Sequence, residues 1–248
     1  VAGEPEAIKY AVIEAIGKAI ELIDLNKHSG EHPRMGAVDV VPFIPIKNVT
    51  IDEAIALSQE VAKEVGVRFN LPVFLYEASA TTQHRENLAD IRRGEFEGLS
   101  DKMRLTEWKS DFGPETPHPT AGVVAIGARK PLIAYNINLN TNNIKIANAI
   151  AKKVRHSSGG MRYCKAIGIY LKERDLAQVS TNLTDYTKTS IYSVHEIVRM
   201  EAKRYGVSII GSEVIGLVPM TALAESAAYY LGIENFSMNQ VLEAKLFE

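Results

Sequence analysis

The chain has 248 residues, 46% of them apolar, and a formal net charge of -2. That length suits one large domain or two small ones with a sizeable core, and the near-neutral balance argues against bulk electrostatic binding of nucleic acid or of an anionic membrane. No apolar run approaches the roughly 18 residues needed to span a bilayer, and Cys164, the only cysteine, excludes a disulfide framework or a Cys-rich zinc site.

Pro5 opens a helix to about Leu25, with Ile8, Val12, Ala15, Ile16, Ala19 and Ile23 on one face. A polar loop, Lys27 to Gly36, separates it from an apolar, strand-like run from Ala37 to Ile46. Thr50 and Glu53 have the spacing of a capping box for a helix to about Arg68, whose buried stripe is Ala54, Leu57, Val61 and Val65. Leu71 to Tyr76 is predicted as a buried strand. The span from Ala78 to Pro119 is polar, turn-rich and long for a bare connection, which points to function.

From Pro131 the pattern sharpens. A strand from Leu132 to Leu139 leads to a helix from Thr141 to about His156. Strands Lys165 to Leu171 and Leu176 to Leu183 follow; in the second, Gln178, Ser180 and Asn182 alternate with Val179, Thr181 and Leu183. A helix from Ser190 to Tyr205 stops at Gly206. Then come a strand from Val207 to Ile210, a further apolar stretch to Val218, a helix from Met220 to Leu231, and a short helix capped by Ser237 and Gln240. The β-α-β-β-α-β order is the split βαβ, ferredoxin-like layout of an α+β sandwich.

The loop His28-Ser29-Gly30-Glu31-His32-Pro33-Arg34-Met35-Gly36 is the densest concentration of chemistry. It sets two imidazoles beside a carboxylate and a guanidinium where Gly30 and Pro33 prevent regular helix, a setting suited to proton transfer near neutral pH. The spacing His28-x-x-Glu31-His32 also matches the inverted zincin motif, but that motif needs both imidazoles on one helical face, and Pro33 disfavours helical geometry at His32. No metal is expected.

The stretch from His28 to Pro45 closely resembles the signature of the formiminotransferase domain, which occurs alone in microbes and fused to a cyclodeaminase in animals. Further matches run along the chain: Trp108 to Pro114, Gly127 to Lys130, Ile133 to Leu139, Gln178 to Leu183, and Gly216 to Pro219. The resemblance implies two ferredoxin-like subdomains, 1–131 and 132–248, with helices packed on mixed sheets. The first subdomain is expected to lack its opening strand, so that the chain starts inside the family domain. The cyclodeaminase part is expected to be absent.

The implied reaction is transfer of a formimino group from N-formimino-L-glutamate to N5 of tetrahydrofolate, a step of histidine degradation and one-carbon metabolism. His32 occupies the position of the family's general base. Glu31 and Asp39 are candidate carboxylates beside the cationic amidine, although Asp39 also suits a strand–helix hydrogen bond. Arg34 has the planar fork to clamp a glutamate carboxylate, or else pairs with Glu31. The segment Gly113-Pro114-Glu115-Thr116-Pro117-His118-Pro119-Thr120-Ala121-Gly122 aligns with the family's folate-contacting segment, and three prolines make it a rigid wall for a flat pterin. A plain turn is its rival, and His118 is read as a solvated loop residue, not a second catalytic group. His84, His156 and His195 receive no role.

Folate is expected in the crevice between the halves, with Arg129, Lys130 and Arg155 as candidates for its anionic tail. The partners are folate and formiminoglutamate, with no nucleic acid and no membrane. A homodimer in a reducing cytoplasm is expected, since the start Val1-Ala2-Gly3-Glu4 lacks the blocks of a signal peptide. Two rivals stay open: a non-catalytic folate-binding module and a metal-dependent N-acylglutamate hydrolase.

Overall fold

The structure, a computed structural model, describes residues 1–28 and 33–246. The chain divides into two compact units, Val1–Lys130 and Pro131–Glu248, and both are α+β.

In the first unit helix α1 (Pro5–Leu22) begins with proline in its first turn, where the missing N–H leaves nothing unsatisfied. Strand β1 (Asp39–Phe43) follows. Helix α2 (Ile51–Arg68) starts at the reciprocal cap read from the sequence: Glu53 N–H donates to Thr50 Oγ1 (3.2 Å) and Thr50 N–H to Glu53 Oε2 (2.7 Å). Strands β2 (Val73–Leu75) and β3 (Val124–Ala128) complete a sheet of order β1-β3-β2, with β3 parallel to both neighbours.

This sheet is wholly parallel, where a mixed split-βαβ sheet was expected. Parallel neighbours cannot be joined by a hairpin, and β2 reaches β3 only through residues 76–123. That span carries the short helices α3 (Leu88–Arg92) and α4 (Leu99–Lys102). The pleat accounts for its position. Val73, Leu75, Val124 and Ile126 face α1 and α2 together with Ile13, Ile16, Val61 and Val65. The alternate residues Phe74, Tyr76, Val123 and Ala125 pack with Ile91, Leu99, Met103 and Met35. The sheet is therefore buried on both faces, as parallel sheets generally are.

In the second unit β4 (Ile133–Leu139), α5 (Ile144–Val154), β5 (Cys164–Leu171), β6 (Leu176–Leu183), α6 (Ile191–Arg204) and β7 (Ile209–Ile215) form the expected split βαβ. Its antiparallel sheet has the order β5-β6-β4-β7. Ile150, Val154, Val194 and Val198 of the helices cover Ile133, Ile137, Val179 and Leu183. The two apolar pieces read at 207–210 and up to 218 are one strand, whose register shifts at Asn138/Leu139. Helix α7 (Met220–Leu231) stacks Tyr229 on Tyr192 of α6 at 4.2 Å, and α8 (Leu242–Leu246) follows the cap that Ser237 and Gln240 build. No helix among the described residues is long and apolar enough to cross a membrane.

Candidate active site

The polar loop between α1 and β1 has two stems, and both are laced to one other segment. On the first stem, Asp24 Oδ1 accepts from Asn26 N–H (3.0 Å) and Asn26 Nδ2 (2.9 Å), turning the chain after the helix. Leu25 N–H then donates to Thr120 O, and Asn26 Nδ2 to Pro119 O, each at 2.9 Å. On the second stem, Ala37 N–H donates to Ala121 O (3.0 Å) and Val123 N–H to Met35 O (3.1 Å), with Gly36 bridged to Gly122. A Cβ on Gly36 would lie 1.8 Å from Val123 O, so only glycine admits this approach.

Residues 29–32 lie outside the described residues. Glu31 and His32 are thus not described, nor is the full His28-x-x-Glu31-His32 spacing. Among the described residues no group of His, Cys, Asp or Glu is arranged to hold a metal ion.

Arg34, on the second stem, is engaged through its whole fork. Nε (3.3 Å) and Nη2 (3.0 Å) donate to His28 O, Nη2 to Glu97 Oε1 (2.7 Å), and Nη1 to Glu97 Oε2 (3.2 Å) and Glu95 Oε2 (3.4 Å). Every N–H of the guanidinium is thereby used. Glu97 holds Arg34 above its ordinary pKa, and the arginine in turn lowers the Glu97 carboxyl. Arg34 O also accepts from Phe96 N–H at 2.9 Å. Its partners come from 61 and 63 residues downstream.

Asp39 stands at φ +64°, a left-handed conformation that costs a non-glycine residue energy. Its carboxylate supplies the restraint. Oδ1 accepts from Met35 N–H (2.9 Å), and Oδ2 accepts from Arg92 Nε (2.9 Å) and Arg92 Nη2. Both oxygens are thus committed to holding Met35 and helix α3.

The segment 113–122 is fixed from its start. Asp111 precedes it, and Asp111 Oδ2 accepts from Arg85 Nη1 (2.6 Å) and Leu75 N–H (2.8 Å) while Oδ1 accepts from Thr81 Oγ1 (2.6 Å). Arg85 is buried and also donates to the carbonyls of Glu107 and Lys109. Gly113, at φ +79°, lies against Leu71 O and Gly66, leaving no space for a side chain. Pro114 O accepts from Ser110 Oγ (2.7 Å), and exposed Glu115 pairs with Lys109 (2.8 Å). Thr116 is exposed and Pro117 half-buried, before a tight turn in which His118 and Gly122 exchange backbone hydrogen bonds of 2.9 and 3.0 Å.

Within that turn His118 is half-buried, not simply solvated. Its Nδ1 accepts from Ala121 N–H (3.0 Å) and Thr120 N–H (3.3 Å), and burial lowers its pKa. A cleft of about 560 Å³ opens between the loop stems, this turn and the 96–100 segment; Leu25, His28, Arg34, Phe96, Glu97 and His118 are among its walls. A second hollow of about 610 Å³ adjoins it beyond His28, against Ile20, Asp24, Lys27 and Thr120.

Lys102, in α4, staples that helix to α3. It donates to the carbonyls of Asp90 (2.7 Å), Ile91 (2.6 Å) and Arg93 (3.1 Å) and sits 3.8 Å from the Trp108 ring. Burial, with the nearby Arg93 charge, pushes it down to about 8. Of the cations considered for an anionic tail, Arg155 donates to Ser158 Oγ (2.8 Å) and Arg129 to Lys130 O (2.9 Å).

Both units match family models. Residues 1–129 match the formiminotransferase domain, N-terminal subdomain, and residues 134–246 the formiminotransferase domain. The chain belongs to the formiminotransferase family. Glutamate formimidoyltransferase of Streptococcus pyogenes is 50% identical over 245 residues, covering 98% of this chain and 82% of that protein. Glutamate formimidoyltransferase of Thermoplasma acidophilum is 43% identical over 238 residues, covering 95% and 78%. The formimidoyltransferase-cyclodeaminase of Rattus norvegicus is 42% identical over 234 residues, which is 92% of this formiminotransferase chain but 43% of the rat protein.

Proposed function

We propose that this chain is a folate-dependent transferase that moves the formimino group of N-formimino-L-glutamate to N5 of tetrahydrofolate and releases glutamate, with His32 as general base. One observation carries the site assignment. The two stems that flank residue 32 and the segment 117–123 are hydrogen-bonded to each other on both sides, and together they wall a single cleft. Relatives named for this transferase activity span nearly the whole chain.

The chemistry needs one group able to take a proton and return it. N5 loses a proton as it attacks the amidine carbon; the new C–N5 bond forms, the bond to the glutamate nitrogen breaks, and that nitrogen gains a proton. An imidazole with an ordinary pKa near 6.5 can serve both steps. Segment 113–122 forms the wall against which the folate lies. Glu31 is the remaining carboxylate candidate beside the cationic amidine. Asp39 and Arg34 support the site by holding its frame, because their polar atoms are already engaged by Met35, Arg92, His28, Glu95 and Glu97.

The protein works in the cytoplasm on this reading: its one thiol, Cys164, is free and buried, and burial raises its pKa to about 12. It forms a homodimer on this reading.

A coupled assay with tetrahydrofolate and formiminoglutamate tests the reading. Glutamate is released only when both are present, and His32→Ala lowers kcat by about 10²–10⁴ with tetrahydrofolate affinity retained. Normal turnover by that variant overturns the base assignment. Folate-independent glutamate release that a chelator abolishes overturns the transferase reading.

A further inference from the structure

The tautomer of His118 follows from its surroundings. Nδ1 accepts the N–H groups of Ala121 (3.0 Å) and Thr120 (3.3 Å), with Thr120 Oγ1 at 3.4 Å. A proton on Nδ1 would point at two donors, so the ring's hydrogen resides on Nε2. Nε2 has no hydrogen-bond partner among the described residues, and His118 is one of the residues that line the cleft. Its backbone is held by paired hydrogen bonds to Gly122, so the donor is fixed in position as well as in protonation state.

We infer that His118 is a specificity-determining residue: a fixed, uncharged N–H donor that reads the neutral ring carbonyl oxygen of the folate's pterin. This rests on the reading of segment 113–122 as the folate wall. The neighbouring charges favour a neutral acceptor over a carboxylate. Arg34, the guanidinium in the same cleft wall, is already forked onto Glu97 and Glu95, so the wall around His118 offers an anion little uncompensated positive charge. A neutral carbonyl oxygen needs a donor and no counter-charge.

Two variants separate the turn-holding nitrogen from the ligand-facing one. His118→Asn puts an acceptor where Nδ1 is, keeping the turn, but its side chain ends short of Nε2. His118→Gln carries an N–H to about the reach of Nε2. The expected result for His118→Asn is a KM for tetrahydrofolate raised about three- to tenfold, the worth of one hydrogen bond between neutral partners. The KM for formiminoglutamate and the melting temperature stay near wild type. Gln restores much of the loss, and the Asn penalty persists with tetrahydropteroate, which lacks the glutamate tail.

An unchanged KM for tetrahydrofolate overturns the proposal, as does a penalty that falls on formiminoglutamate or vanishes with tetrahydropteroate. Hydrogen exchange on the wild-type protein identifies the level of failure. Protection of 113–122 by tetrahydrofolate with a silent His118→Asn refutes only the donor role; no protection refutes the wall, and the donor role with it.

Discussion

Replacing Asp111 with alanine strips a buried arginine of its counter-ion. The two side chains are 10% and 6% exposed, and the Asp111 carboxylate also accepts from Leu75 N–H in β2 and from the Thr81 hydroxyl. Arg85 would keep its carbonyl contacts to Glu107 and Lys109, but its charge would be uncompensated beside Phe74. Removing one partner of a buried pair costs about 3–5 kcal/mol. At about 4 °C per kcal/mol for a unit of this size, the melting temperature of the first unit falls by about 12–20 °C. Differential scanning calorimetry reads this as a separate, earlier transition, because the two units need not melt together. Asp111→Asn retains an acceptor for Leu75 and loses less. In the folded fraction of Asp111→Ala the KM for tetrahydrofolate rises, since Asp111 fixes the start of the 113–122 wall. A melting temperature within about 2 °C of wild type would refute the claim that this pair holds the segment.

Arg34→Lys keeps the charge but not the fork that spans His28, Glu95 and Glu97, and kcat is expected to fall about ten- to hundredfold with KM for formiminoglutamate little changed. The opposite split, raised KM with unchanged kcat, would put Arg34 on the substrate's carboxylate. Protonation gives a further test through stability. Burial lowers the pKa of both His118 and His195, whose Nδ1 lies 2.7 Å from Tyr135 Oη. The unfolded chain therefore binds more protons than the folded one as pH drops below about 6.5, and stability falls in that direction. The carboxylates lowered by their partners, such as Glu53 and Glu97, add a similar loss only at lower pH, near and below their unfolded values. Melting temperatures should thus decline from pH 7.5 to 5.5, less steeply in His118→Asn; a flat profile would contradict the direction assigned to both histidines.

Much of the fold was legible because periodicity is a local property. Helices α2, α6 and α7 and strand β6 lie within a residue of their expected bounds, and the Thr50–Glu53 cap is present as read. What escaped depends on distance along the chain. The polar look of 78–119 concealed that Ile91, Leu99 and Met103 close the second face of a parallel sheet, since their spacing follows neither a strand nor a long helix. The same holds at the candidate site. A polar, glycine- and proline-bearing loop announces itself, and so does a proline-rich wall. That Arg34 would reach Glu95 and Glu97, Asp39 reach Arg92, and Asp111 reach Arg85 has no local signature. The tautomer of His118 was hidden for another reason: it is set by main-chain N–H groups, which every sequence supplies equally.

The ties between the histidine loop and the 119–123 strip run almost entirely through main-chain atoms: Leu25 to Thr120, Ala37 to Ala121, Val123 to Met35. Amides and carbonyls are the same whatever residue bears them. The exposed side chains just before the strip, Glu115 and Thr116, are consequently at liberty to diverge without disturbing the frame beside them. Evolution, or an engineer, can recast the outward face of this segment while leaving the main-chain ties untouched.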